Sequence, residues 1–178
     1  MAGEQEVEQN GSTAGHKCRQ ATVGSSLFQA EARIQIACPP EQVYGLVSDV
    51  TRMGEWSPEC YQCEWVEGAT GPQVGVSFRG SNQWGEMRWA RTCTITTALP
   101  GEEFAFMTTS EPDFPDSTNW CYRFEAREGG TLVTESCVVS EMQWAPEFQS
   151  MLEEHGRGTQ QRMQQTLERL KACAEASR

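Results

Sequence analysis

Residues 28–53, FQAEARIQIACPPEQVYGLVSDVTRM, change period halfway along. Up to Cys38 the apolar side chains fall on alternate positions (Phe28, Ala30, Ala32, Ile34, Ile36), with Gln29, Glu31, Arg33 and Gln35 between them. Side chains of a strand leave opposite faces in turn, so this is a strand with one wet face. Pro39 and Pro40 end it, because Pro has no N–H for a ladder but suits a first helical turn. Beyond them Val43, Tyr44, Val47 and Val50 share one stripe at helical spacing, which predicts a helix through Met53.

Downstream the chain returns to short alternating runs: YQCEWVEG, QVGVSFRG, MRWARTCTITTALPG, EEFAFMTTS, STNWCYRFEARE and TLVTESCVVSEM. Each is closed by Gly, Pro or a charged turn at hairpin-like spacing, which predicts six further antiparallel strands. The last segment, from Pro146 to Ala174, returns to helical spacing, with Met151, His155, Met163, Leu167 and Leu170 on one face. Gly156 and Gly158 fall inside it, each costing up to about 1 kcal/mol of helix propensity relative to Ala, so a bend is expected there. Strand, helix, six strands and a long helix give an α+β fold in which one antiparallel sheet curves around the closing helix.

The chain of 178 residues suits one domain, placed here at 28–178, with 1–27, rich in Gly, Ser, Gln and Glu, read as a flexible tail. That tail lacks the basic start and apolar stretch of a signal peptide, so a cytoplasmic location is expected, with the eight Cys reduced. No apolar run reaches the roughly 20 residues that a bilayer span needs. Twenty-five acidic residues against 14 basic ones give a net charge of -11, which argues against nucleic acid and anionic membranes.

CPPEQVYGLVSDVTRMGEWSPE, ALPGEEFAF, GGTLVTES and the long closing helix together resemble the helix-grip superfamily of START-like lipid carriers, pollen-allergen-like proteins and polyketide cyclases. The bacterial polyketide cyclase/dehydrase branch is the most similar. The resemblance covers Phe28 to Ala174 and implies a seven-stranded sheet wrapped around the C-terminal helix, with a deep apolar pocket between them. It implies a hydrophobic or aromatic small-molecule ligand, held by a cyclase or dehydratase or, alternatively, by a non-catalytic carrier of a lipid-like metabolite.

The motifs narrow the chemistry further. Strand alternation would put Cys60 and Cys63 of CYQCEW on opposite faces, and no second CxxC accompanies them, so neither a metal nor a redox role is expected. No phosphate loop, nucleophile elbow or carboxylate pair appears, so no cofactor is expected either. By parity Trp89, Cys93, Ile95, Phe104, Phe106, Trp120, Tyr122 and Phe124 share the inner face. Trp56, Trp89, Phe106, Trp120, Met151 and Met163 are the expected ligand contacts. Arg91 also falls on that face, where a buried guanidinium is costly unless it meets an anion. Arg91, Tyr122 and His155 are therefore the candidate catalytic groups, the first for an enolate or carboxylate and the others for proton transfer. Glu135, in a run without clean alternation, reads as a solvated strand position. A homodimer is left open.

Overall fold

In a computed structural model the described residues are 26–109, 111, 117–140 and 146–176, excluding the side chains of 26, 27, 140, 146–153 and 155. Seven strands form one antiparallel sheet: β1 (Ser26–Ile36), β2 (Cys60–Trp65), β3 (Ser77–Trp84), β4 (Met87–Leu99), β5 (Glu103–Thr108), β6 (Thr118–Arg127) and β7 (Gly130–Ser140). Their order is β1-β7-β6-β5-β4-β3-β2, so β2 to β7 run as a meander and β1 closes onto its far edge. Two α-helices accompany the sheet, α1 (Pro40–Ser48) and α2 (Pro146–Ala176). The seven strands and two helices occur in the expected order, with β3 lying further along the chain than the run expected at 73–80.

The predicted first helix is two pieces. α1 ends at Ser48, and Asp49 starts a separate 3-10 turn over Val50–Glu55 by accepting hydrogen bonds from the Thr51 hydroxyl and backbone N–H, at 2.5 and 3.3 Å. The competition is local, because an Asp side chain offers the backbone an alternative to the next helical turn. Gly54 lets this turn approach β2, since a Cβ there would lie 2.6 Å from the Tyr61 carbonyl oxygen. Gly130 has φ 146° and packs against the end of β1, where a Cβ would stand 2.1 Å from the Ile36 oxygen, so only glycine fits.

α2 continues through Gly156 and Gly158 as a single 31-residue helix, so the two glycines do not interrupt it. A Cβ at Gly156 would make only ordinary contact with the Phe28 ring at 3.6 Å, whereas one at Gly158 would lie 2.3 Å from Arg162 Nη1, so smallness matters at Gly158. The far end of α2 is tied to the end of β1. Cys38 Sγ donates to the Ala174 carbonyl at 3.3 Å, the Ala37 N–H to Glu175 Oε1 at 2.8 Å, and Lys171 Nζ to the Gln35 carbonyl at 2.9 Å. Met163, Leu167, Leu170 and Ala174 of α2 join one core with Ile36, Val43, Phe78, Ile95, Phe104, Phe124 and Val133. Tyr44 of α1 meets the rings of Phe104 and Phe124 edge-on. This core fills the space between α1, the lower half of α2 and the sheet.

Candidate functional site

One cross-strand row carries the polar centre of the inner face. Ala32 pairs with Glu135, Glu135 with Tyr122, Tyr122 with Phe104 and Phe104 with Ala98. Antiparallel pairing puts side chains of such partners side by side on one face. Glu135 is 3% exposed and Tyr122 5%, and the Tyr122 hydroxyl donates to Glu135 Oε1 at 2.6 Å. Glu135 Oε2 has no hydrogen-bond partner among the described residues. Burial pushes the Glu135 carboxyl up to about 8, against a smaller lowering by the Tyr122 hydroxyl. Burial, reinforced by the Glu135 charge, also pushes the Tyr122 phenol well above its usual range. At neutral pH Glu135 is therefore mostly the uncharged acid. Because Oε1 accepts the hydrogen bond from the Tyr122 hydroxyl, the acid's own proton sits on Oε2, where it can be donated to a third group.

Glu135 is the buried acid that the sequence reading set aside as solvated. Contrary to the expectation of a solvated position, it faces inward with Val133 and Cys137, both at most 1% exposed. Its parity with those two residues was the available signal; the Thr and Ser around it blurred the alternation. The sheet's inner face is not sealed along its whole length. Ile36 and Val133 are fully buried, whereas Phe28, Ala30 and Trp120, further along the same face, are only partly buried against the core.

Arg91 is inward-facing and 8% exposed, as parity predicts, with Cys93 and Ile95 on the same side. Its Nη2 donates to the Thr109 carbonyl at 3.1 Å. It stands opposite Gly80, well along β4 from Ala98, so strand register does not place it in the Tyr122–Glu135 row. Phe106 is buried and pairs with Trp120, and Met163 is buried beside Cys137, with its sulfur 4.0 Å from Cys137 Sγ. Trp56 is 2% exposed and lies under the Arg52 guanidinium, 5.7 Å from the ring centre. Trp89 is partly buried, opposite Asn82. Residues 151 and 155 belong to α2, but the Met151 and His155 side chains lie outside the described residues.

A second, largely buried carboxylate sits where β2 begins. Glu59 pairs with Arg162 of α2 at 2.5 Å, their side chains being 21% and 17% exposed. Arg162 also donates to the Thr159 hydroxyl at 3.0 Å and lies over the Trp84 ring at the end of β3. Burial raises the Glu59 carboxyl and the Arg162 charge opposes that rise. The sequence reading gave this pair no signal, because the two residues are distant in the chain and neither interrupts an apolar pattern.

The CxxC pair corrects an expectation. Cys60 and Cys63 do not leave opposite faces: a β-bulge between Cys60 and Gln62 spends an extra residue of β2 against β3, and both side chains turn inward. They are 5% and 6% exposed, with their sulfurs 3.9 Å apart.

A groove of about 660 Å³ between β1 and α2 is lined by Glu31, Arg33, Arg157, Gln161, Gln164 and Glu168 among others. It is polar, unlike the expected apolar pocket.

A curved seven-stranded antiparallel sheet with a long C-terminal helix on its concave side is the helix-grip architecture. The chain belongs to the family described as polyketide cyclase / dehydrase and lipid transport, whose profile matches residues 28–175. Among solved structures, a Polyketide_cyc-like protein of Corynebacterium glutamicum is 31% identical, with 87% of this chain and 95% of that one covered and a TM-score of 0.60. A protein from Thermus thermophilus is 18% identical over 84% of this chain and 98% of its own, with a TM-score of 0.64. The di-domain ARO/CYC protein StfQ of the steffimycin biosynthetic pathway is 14% identical over 84% of this chain and 51% of its own, with a TM-score of 0.63. No protein of curated function matches the chain. No helix among the described residues is long and apolar enough to cross a membrane.

Proposed function

We propose that the protein takes up an apolar or aromatic small molecule bearing a carbonyl oxygen between the inner face of its sheet and α2. There it moves a proton in a cyclase- or dehydratase-like reaction. The observation that carries this reading is the buried Tyr122–Glu135 pair, in which one carboxyl oxygen meets Tyr122 and the other has no partner among the described residues. A carboxyl held neutral at pH 7 can donate a hydrogen bond to a ligand carbonyl and stabilise the enol or enolate that follows. Above pH 8 the same carboxyl is ionised and acts as a base. Tyr122 fixes its orientation. The half-buried Phe28, Ala30 and Trp120 give the apolar body of the ligand a place to lie, and membership of the family supports a small-molecule ligand.

Two probes test this. A hydroxyanthraquinone should quench tryptophan emission on binding, and Glu135→Leu, which keeps bulk but removes the acid, should weaken its affinity by about tenfold, the worth of one ordinary hydrogen bond. A β-diketone in heavy water, followed by proton NMR, should exchange its α-hydrogens faster with the native protein than with Glu135→Gln or Tyr122→Phe. Anthraquinone affinity unchanged in Glu135→Leu would overturn the site. Binding that depends on Glu135 without any faster exchange would make the protein a carrier rather than a catalyst.

A further inference from the structure

The bulge in β2 does more than reverse one side chain. It sets Cys60 and Cys63 side by side beneath a bare stretch of β3, because the residue opposite Cys63 is Gly80. A Cβ at Gly80 would stand 3.4 Å from Cys60 Sγ and 3.5 Å from Cys63 Sγ, in contact with both, so this point of β3 faces the two sulfurs together. Among the described residues no cluster of three or more His, Cys, Asp or Glu is arranged to hold a metal. They lie at the start of β2, an edge strand of the sheet, where local opening admits a small reagent more readily than in a central strand.

We propose that Cys60 and Cys63 form a dithiol that a hydroperoxide oxidises to an intramolecular disulfide. The sulfurs need to close from 3.9 Å to about 2.05 Å, a movement within reach of side-chain rotation over a glycine floor. The Cys60 S–H points at Cys63 Sγ and at the Gln62 carbonyl, 3.4 Å away. Of the two, Cys60 ionises first. The Cys63 thiol beside it holds Cys60 below the usual thiol range, while Cys63 is itself pushed up by the same contact and by burial. The Cys60 thiolate attacks the distal oxygen of the hydroperoxide, the O–O bond breaks, and the alcohol or water leaves with a proton, giving Cys60 sulfenic acid. Cys63 sulfur then attacks the Cys60 sulfur, forming the S–S bond and expelling water with the Cys63 proton. Two thiols and one hydroperoxide thus become one disulfide, one alcohol and one water. The product ties the bulge shut immediately beside Glu59, whose partner Arg162 belongs to α2, so oxidation is felt where the helix meets the sheet.

The test uses the full chain, kept folded and monitored by circular dichroism. Equimolar hydrogen peroxide is followed by alkylation and mass spectrometry of the peptide that contains both residues. That peptide should lose two hydrogens and resist alkylation in most molecules, and dithiothreitol should restore both reactive thiols. Dimedone should trap a sulfenic acid at Cys60 in Cys63→Ser, and none at Cys63 in Cys60→Ser. A folded protein that keeps both thiols alkylatable would overturn the proposal. So would a disulfide joining either cysteine to Cys93, or trapping confined to Cys63.

Discussion

Two carboxyl groups are taken out of water on the inner side of this sheet, and they are held in different ways. Glu59, at the rim where β2 begins, faces the Arg162 guanidinium and stays paired across the boundary between sheet and helix. Glu135, in the middle of β7, faces a phenol, which donates one hydrogen bond and no charge. A guanidinium offsets much of the cost of burying a carboxylate, so the first pair is a fastening. A phenol offsets little of it, so the second carboxyl retains its proton and is left chemically available. The environment therefore assigns the two residues their roles, although they are the same side chain.

The largest expected effect comes from removing the ionisable group at the available site. Glu135 titrates at about 8 in the fold but near 4.5 in the unfolded chain, so between those values the native state holds a proton that the unfolded state has released. Stability must therefore fall as pH rises through that window, by about 1.4 kcal/mol per unit of pKa difference. Glu135→Gln removes this slope. Urea melts should show the variant close to the native protein at pH 4.5 and several kcal/mol more stable at pH 9. Parallel pH profiles for the two proteins would break the contrast with Glu59.

The fastening gives the next effect. Arg162→Met leaves the Glu59 carboxylate buried without its counter-charge and should cost about 3 kcal/mol by chemical denaturation. Adding Glu59→Gln to that variant should recover most of the loss. A double variant no more stable than Arg162→Met would show that the guanidinium works through Thr159 and Trp84 rather than through charge.

The smallest effect sharpens the same comparison. Gly158→Ala improves helix propensity by up to about 1 kcal/mol but places a methyl group where Arg162 Nη1 now lies. Gly156→Ala offers the same propensity and meets only the Phe28 ring at ordinary contact distance. Thermal melts should therefore show Gly156→Ala raised by a few degrees and Gly158→Ala unchanged or lowered. Equal gains at both positions would mean that Arg162 shifts without loss and that the ion pair tolerates a second geometry.

The fold was legible because its elements follow two periods that change abruptly at Pro39 and Pro40 and again at Pro146. Inward-facing Arg91, Phe106, Tyr122 and Met163 followed from the same periods. What failed was local. A single inserted residue shifts every later side chain by one face, and nothing in CYQC marks the bulge that brings Cys60 and Cys63 together. Glu135 failed for another reason: a lone acid among Thr and Ser reads as solvated, and only its register against Tyr122 shows that burial is compensated by a partner. Asp49, which splits the first helix, competes through a side-chain hydrogen bond that helical spacing does not register.

The strand order carries a consequence for how the molecule assembles. From β2 to β7 each strand lies beside its predecessor in the chain, so the meander can grow hairpin by hairpin. β1 cannot join in that way, because its partner is β7 and Ile36 must find Thr131 across the whole intervening meander. Closing so long a loop gives no contact energy until the end, so the β1–β7 seam should form late and set the pace of folding. On a ribosome the first strand to emerge would then wait for the last, its hydrogen-bonding edge unpaired until β7 is made.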